Sequence, residues 1–357
     1  MARLIRKLRK IYKGMYISLR RFNLTRVVKN DKKSHTDKWV LTKEQEASAK
    51  RFYSRYKNIS LLYHNFYTEK RGEYSDEYLP DDLYYNYVDM YYNDHQEALV
   101  FDNKCLYKTL FPSANHPQTI CRRQNGFWFL GDDLVIVTPD EAAKAVLAQK
   151  ECFIKRATDC GGGVGVWHFD ASQKTSGDFN KLVDSIQEDI IVQEPIKQHE
   201  ALAKLNSSSV NTIRSVSYLG EDGVTVYANV LRIGSGGSRV DNISSGGLTC
   251  NIDDQGLLSG KAYRSSGQVI TVHPDSGIAF EKYALPSFDK LQEQIKTFHL
   301  QIPQFRLVSW DFTIGEDGEP VFIEANMSSG GINIVQLSHG PLFGKDTKER
   351  LDEVFSK

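Results

Sequence analysis

The stretch Leu307-Val-Ser-Trp-Asp-Phe-Thr-Ile-Gly-Glu-Asp-Gly-Glu-Pro-Val-Phe-Ile-Glu-Ala-Asn326 sets two alternating apolar runs on either side of Asp317-Gly318. Such a dipeptide between such runs predicts a hairpin with a two-residue turn. Glu316 then faces Glu319, and counting outward brings Asp311 opposite Glu324. Side chains alternate faces along a strand. Trp310, Phe312, Ile314, Val321, Ile323 and Ala325 therefore form a core face, and Ser309, Asp311, Thr313, Phe322, Glu324 and Asn326 the other. Opposed residues have Cβ atoms about 4.5–5.5 Å apart, where like charges destabilise. Asp311 and Glu324 either need a proton, a cationic side chain or a metal between them, or are two solvated acids on an exposed hairpin. With Asn326 they make an all-oxygen set. Such a set suits a hard cation such as Mg²⁺, which binds one or two carboxylates plus a substrate's phosphates.

Further β signals lie upstream. Ile190-Ile-Val-Gln-Glu194 is a buried strand stopped by Pro195, and two apolar runs flank Gly220-Glu-Asp-Gly223 as a second hairpin. Leu248 to Asp253 continues the pattern. Helices are expected from Pro139 to Gln149, from Phe288 to Phe298 and from about Lys345 to Phe355. Residues 37–100 are polar and helical in pattern, with Tyr84, Tyr85, Tyr87, Tyr91 and Tyr92 placed to pack and hydrogen-bond. This mix predicts an α+β fold with antiparallel sheets, not a doubly wound parallel sheet. No glycine segment fits a G-x-G-x-x-G fingerprint opening a helix, which argues against a dinucleotide site of that type.

With 357 residues, 40% of them hydrophobic, the chain can bury a sizeable core over two or three subdomains. Its formal net charge of zero offers no bulk field to draw nucleic acid. Five cysteines without C-x-x-C spacing argue against a disulfide framework or a zinc site and fit a reducing cytoplasm. No apolar run reaches transmembrane length. The first 33 residues, however, hold a single acid, Asp31, among many Lys and Arg. Leu4, Leu8, Ile11, Tyr12, Met15, Leu19 and Phe22 recur at helical spacing there. A basic amphipathic helix of this kind either lies on an anionic membrane surface or docks on its own domain.

Several segments carry chemistry. Phe153-Ile-Lys-Arg-Ala-Thr-Asp-Cys-Gly-Gly-Gly-Val-Gly165 is a strand with Lys155 at the root of a glycine loop. Such a loop can aim N–H groups at an anion, although a long hairpin turn looks similar. Gln193-Glu194-Pro195-Ile196 ends a strand at a proline, where backbone groups can pair with a flat heteroaromatic base. Asn211-Thr-Ile-Arg214 opens a strand with an arginine, whose planar fork suits phosphate or carboxylate.

Taken in order, these features resemble the ATP-grasp superfamily over roughly residues 100–335. Asp102-Asn-Lys104, Val192-Gln-Glu-Pro-Ile196, Asn211-Thr-Ile-Arg214, Val240-Asp-Asn242, Ser245-Gly-Gly247, His273-Pro-Asp-Ser-Gly277 and Ile323-Glu-Ala-Asn326 narrow the resemblance to its sugar-transfer-associated group. The resemblance implies two α+β subdomains clasping ATP, a lid at 121–200 and a metal and substrate subdomain at 201–357. These follow a basic helix at 1–36 and a helical domain at 37–120. It implies that Lys104 and Lys155 contact the nucleotide, with Gly161, Gly162 and Gly163 as a phosphate lid. The backbone of Gln193, Glu194 and Ile196 would read adenine, and His199 or Glu200 the ribose. Arg214 and Arg239 would be catalytic, Asp311, Glu324 and Asn326 would hold Mg²⁺, and Asp241, Asn242, Gly246, Gly247 and His273 would line the substrate side. His273 equally fits a loop cap. The implied activity is ATP- and Mg²⁺-dependent ligation of a carboxylate to an amine through an acyl phosphate, in cell-surface polysaccharide synthesis. A kinase on the same fold and a non-catalytic nucleotide-binding partner of glycan assembly are the alternatives. The expected location is cytoplasmic, with peripheral contact at the inner face of the membrane through the N-terminal helix.

Overall fold

The computed structural model describes residues 2–158, 164–239, 241 and 243–356, with side chains from residue 19 onward except that of residue 244. Among the described residues the fold is α+β, with two antiparallel sheets. The first contains β1 (Thr119–Gln124), β2 (Phe127–Leu130), β3 (Val135–Val137), β4 (Glu151–Arg156), β5 (Val166–Asp170) and β6 (Ile190–Gln193), in the order β3-β2-β1-β6-β4-β5. The second contains β7 (Thr212–Gly220), β8 (Gly223–Ile233), β9 (Leu248–Ile252), β10 (Leu258–Tyr263), β11 (Val269–Ile270), β12 (Leu307–Ile314) and β13 (Pro320–Asn326). Their order is β11-β10-β9-β8-β7-β12-β13.

Alternation explains how each sheet is covered. Cys152 and Ile154 of β4 and Ile190 and Val192 of β6 point into a core beneath the helices Pro139–Leu147 and Ser176–Asp184. Both helices begin with a capping box, built on Thr138 with Glu141 and on Thr175 with Asp178. Their neighbours Lys155, Ile191 and Gln193 are left on the opposite face, which looks toward the second sheet. One face of the second sheet, with Ile213, Leu231, Trp310 and Phe312, packs against the helix Phe288–His299. On its other face Val216, Tyr218, Ala228, Val230 and Leu307 pack under Tyr53, Tyr84 and Tyr92 of the N-terminal helices. The helical segment therefore shares a core with the second sheet. The same sheet face emerges from those helices at Arg214 and Asp311.

The hairpin of β12 and β13 forms as expected but through a different turn. The Gly315 amide donates to Glu319 O at 2.8 Å and the Gly318 amide to Gly315 O at 2.9 Å. The turn is therefore three residues, Glu316, Asp317 and Gly318, the last at φ +80°, where glycine is unstrained. A bulge at Ile323 then shifts the ladder by one residue. The two offsets cancel, so Ser309 pairs with Asn326, Trp310 with Ala325 and Asp311 with Glu324. Between turn and bulge the expected faces are exchanged. Phe322, instead of Val321 and Ile323, joins Trp310, Phe312, Ile314 and Ala325 in the core.

A buried relay ties this hairpin to the helix behind it. Trp310 Nε1 donates to Ser217 Oγ at 2.7 Å, Ser217 Oγ lies 2.7 Å from His299 Nδ1, and His299 Nε2 lies 2.8 Å from Phe305 O. Only a neutral imidazole can accept from Ser217 and donate to the carbonyl. Burial pushes His299 down to about 4, and the buried His64 likewise to about 4. Because the folded values lie below the unfolded one near 6.5, stability is fully present above about pH 6.5 and is lost as pH falls toward 4. The thermal midpoint should hold between about pH 8 and 7 and then decline, as roughly 3 kcal/mol of unfolding free energy per histidine is lost by pH 4. The His299→Gln variant should flatten that slope, measured by circular dichroism. A slope unchanged by the substitution would exclude His299 as its source.

Candidate active site

Arg214 stands beside Asp311 because β7 and β12 pair these two residues directly. Its Nε is 2.8 Å from Asp311 Oδ1 and its Nη2 2.6 Å from Oδ2, a bidentate pair. Arg232 of β8 approaches the same carboxylate at 3.2 Å and holds Asp241 at 3.1 Å. Asp241 also accepts from the Thr212 hydroxyl. On the far side Glu324 lies 2.9 Å from Lys104 Nζ. The result is an alternation of charge across the sheet, from Asp241 through Arg232, Asp311 and Arg214 to Glu324 and Lys104. Burial opposes ionisation of Asp311, but the Arg214 and Arg232 charges outweigh it and hold the carboxyl below its ordinary value. Asp241 goes the other way, because burial raises it more than Arg232 lowers it.

Glycines make the room for Arg214. Gly331 sits at φ +65°, and a Cβ there would lie 3.0 Å from Arg214 Nη1. At Gly330 a Cβ would run into the Ser309 hydroxyl. The neighbouring Ser329 amide is held by Asp89 at 3.0 Å, so the N-terminal helices help to place this loop.

Lys104 joins the two sheets. Its amide donates to Ala157 O at 2.8 Å, just past β4, while its side chain reaches Glu324 on β13. Arg122, almost fully buried, steadies this segment by donating to Cys105 O at 2.9 Å. Lys155 faces the same cleft and donates to Gln193 Oε1 at 3.0 Å. A small cavity between the sheets is lined by Lys104, Ile191, Gln193, Phe322 and Ile323. The bulge thus turns both Ile323 and Glu324 toward the cleft, the first to the cavity and the second to Lys104.

Other expected residues are placed differently from the reading above. Gln193 is paired on both sides, with Thr119 and Phe153, so its side chain rather than its backbone meets the cleft. The Glu194 amide donates to Gln118 O at 3.0 Å and is already engaged. The Ile196 amide has no partner among the described residues. His199 Nδ1 accepts from the Ala201 amide at 3.1 Å, capping the helix Glu200–Leu205, while Glu200 is exposed and 3.2 Å from Lys204. Gly246, at φ +90°, donates its amide to Ile243 O at 3.2 Å, so that N–H is spent in the turn. Gly247 is buried beside it. Arg239 does not join Arg214. It is exposed and lies 2.9 Å from His168 Nδ1 on β5 of the other sheet. The second cation at Asp311 is Arg232, whose sequence signal was a lone charge inside Val230-Leu231-Arg232-Ile233. Gly161, Gly162, Gly163 and Asn242 lie outside the described residues.

His273 clamps its own loop. It is fully buried, with Nε2 2.8 Å from Gly234 O and Nδ1 accepting from the Asp275 and Ser276 amides at 3.3 Å. Asp275 in turn accepts from the Gly236 amide at 2.6 Å. His273→Ala should cost about 1–3 kcal/mol of stability, because buried backbone groups lose their partner. Denaturant unfolding should show that loss while KM for the nucleotide stays within about twofold. A large KM change in a variant of normal stability would return His273 to the substrate site.

The residues at the hairpin suit a hard divalent cation. Asp311 and Glu324 are directly opposed, and the Asn326 amide nitrogen donates to Ser309 O at 3.3 Å, which leaves its oxygen as acceptor. No cluster of three or more His, Cys, Asp or Glu suited to a metal occurs among the described residues, and Asn326 is the uncharged oxygen beside the two acids. At three of the described cysteines a nucleophilic role is disfavoured, since burial pushes the Cys105, Cys152 and Cys250 thiols up to about 12.

No curated protein sequence matches the chain significantly. Among solved structures, D-alanyl-alanine synthetase A from Vibrio cholerae O1 biovar eltor is 15% identical over 71% of this chain, with a TM-score of 0.42. The chain spans 63% of that protein's length. A D-cycloserine synthetase is 11% identical, with 72% of this chain and 71% of that one covered and a TM-score of 0.43. An N5-carboxyaminoimidazole synthetase from Staphylococcus aureus is 10% identical over 67% of this chain and 48% of its own, with a TM-score of 0.40. The family model for sugar-transfer associated ATP-grasp matches residues 85–349, and the chain belongs to that family.

Proposed function

We propose that this protein is an ATP- and Mg²⁺-dependent ligase that joins a carboxylate to an amine through an acyl phosphate. Its substrates would be an amino acid or similar amine and a sugar acid or small carboxylate used in cell-surface glycan synthesis; the link to sugars rests on the family description. The observation that carries the reading is the pairing of Arg214 and Arg232 over Asp311, with Glu324 and Lys104 adjoining. Asp311, Asp241 and Glu324 each have a cationic partner, and His199 and His273 are engaged in capping and clamping. Among the described residues these carboxylates and histidines are therefore already engaged, and a substrate carboxylate, which arrives deprotonated, needs only cations to orient it.

In this reading Lys104 and Lys155 hold the phosphates from the side of the first sheet. Asp311, Glu324 and Asn326 would hold Mg²⁺, which neutralises charge on the transferring phosphoryl group. Arg214 steadies the γ-phosphoryl group while a carboxylate oxygen attacks it, the bond to the β-phosphate oxygen breaks and ADP departs. The amine then attacks the acyl carbon, the carbon–oxygen bond to phosphate breaks, and the departing phosphate takes up the amine proton. Cations and positioning supply the catalysis.

The test is hydroxylamine trapping. Protein, ATP and Mg²⁺ are incubated with a panel of sugar acids and small carboxylates, with hydroxylamine in place of the amine, and products are read by mass spectrometry. A hydroxamate formed with ADP release supports the ligase. A stable phosphate ester that forms without any amine and is never trapped would establish a kinase instead.

A further inference from the structure

The helix Ala2–His35 docks on the protein with one side and leaves Leu19 and Phe22 exposed on another. Arg20 Nη1 is 3.0 Å from the Met90 sulfur, and the Arg21 guanidinium lies 4.3 Å from the Tyr87 ring centre. Thr25 accepts from Asn86 at 3.0 Å, and Val28 packs beside Tyr63 and Tyr67. Lys32 is buried, 3.2 Å from Asp81 and 4.6 Å from the Phe66 ring centre. At 3.6 residues per turn, these positions and the described stripe residues Leu19 and Phe22 point roughly 140° apart. Leu19 is 61% exposed and Phe22 65%. The docked reading of this helix therefore accounts for its anchoring but leaves the stripe uncovered at Leu19 and Phe22.

The same line of the helix then changes character. Stepping on from Phe22 by four, three and four residues gives Arg26, Lys29 and Lys33, all exposed. Apolar and cationic groups thus follow one another along one outward edge. Residues 1–33 hold twelve Lys and Arg against one acid, Asp31. Self-association through this edge would bring two strongly cationic helices together with almost nothing to offset them. An anionic bilayer offers both what the stripe and what the cations need.

We propose that this edge binds the surface of an anionic lipid bilayer, with Leu19 and Phe22 at the acyl boundary and Arg26, Lys29 and Lys33 against lipid phosphates. No helix among the described residues is long and apolar enough to cross a membrane, so the attachment is peripheral. It is independent of the ligase reading, because none of these residues touches the charged row on the second sheet.

The test is co-sedimentation of the full chain with vesicles of phosphatidylcholine, with or without phosphatidylglycerol. Binding should require the anionic lipid and weaken at least about tenfold as salt rises from about 0.1 to 0.5 M. Combining Arg26→Glu, Lys29→Glu and Lys33→Glu should lower the partition coefficient on the order of 100-fold. Leu19→Ser with Phe22→Ser should lower it about tenfold or more. These side chains are exposed, so the thermal midpoint and ADP release in solution should stay unchanged in both variants. Absence of binding, or equal binding to neutral vesicles and by both variants, would overturn the proposal. So would a concentration-dependent dimer, seen by light scattering and abolished by the serine pair, without lipid binding.

Discussion

Hydroxamate formation should disappear when Arg214 is replaced by alanine. Arg214 grips Asp311 through two hydrogen bonds, and Asp311 stands directly opposite Glu324. Losing one preorganised electrostatic stabiliser costs about 10²–10³ in rate. The substitution also leaves Asp311 with Arg232 as its remaining arginine. Removing one partner of a buried ion pair can cost several kcal/mol, so folding has to be measured alongside. Arg214→Lys separates the two effects, because it keeps a charge near Asp311 but cannot reproduce the bidentate fork. It should retain most of the thermal stability while trapping stays at least about tenfold below wild type. Near-normal hydroxamate yield from a folded Arg214→Ala protein would remove Arg214 from the chemistry.

Glu324→Gln should have the next largest effect and should act on metal dependence. The replacement keeps the shape and removes the charge opposite Asp311. Glu324 and Lys104 are both largely buried, so the loss of the charge should cost roughly 1–3 kcal/mol, and folding has to be measured alongside. ADP release should fall on the order of 100-fold, and the Mg²⁺ concentration for half-maximal rate should rise at least about tenfold. An unchanged Mg²⁺ titration would mean that Asp311 and Glu324 are held by cationic side chains alone.

The pair at the centre of the site was legible because strand alternation and pairing are local rules. Asp311 opposite Glu324 followed from a two-residue turn that the structure does not have, and it survived because the bulge at Ile323 corrected the count. The exchange of Phe322 for Val321 and Ile323 records the same pair of offsets. A bulge leaves little trace in composition, since Val321, Phe322 and Ile323 are all strand formers. Arg214 was visible at the start of a strand, but Arg232 was not, because its role arises where β8, β7 and β12 come side by side. Sequence order cannot show which of two arginines shares a sheet face with Asp311. It likewise could not show that His199 and His273 each spend Nδ1 on backbone amides. The tyrosine-rich helices were read correctly as packing elements, but not as the cover of the second sheet.

The paired offsets at the tip of the last hairpin also limit how this segment can change over evolution. Turn and bulge each displace the ladder by one residue, and only together do they keep Glu324 beside Asp311. Deleting a single residue from either would slide β13 by one and send the carboxylate to the side now filled by Ala325. Substitutions at Val321 or Ile323 can be absorbed by neighbours, whereas a change in length cannot. Gains and losses of residues in this hairpin should therefore come in compensating pairs or not at all, which makes its length a stricter inheritance than its composition.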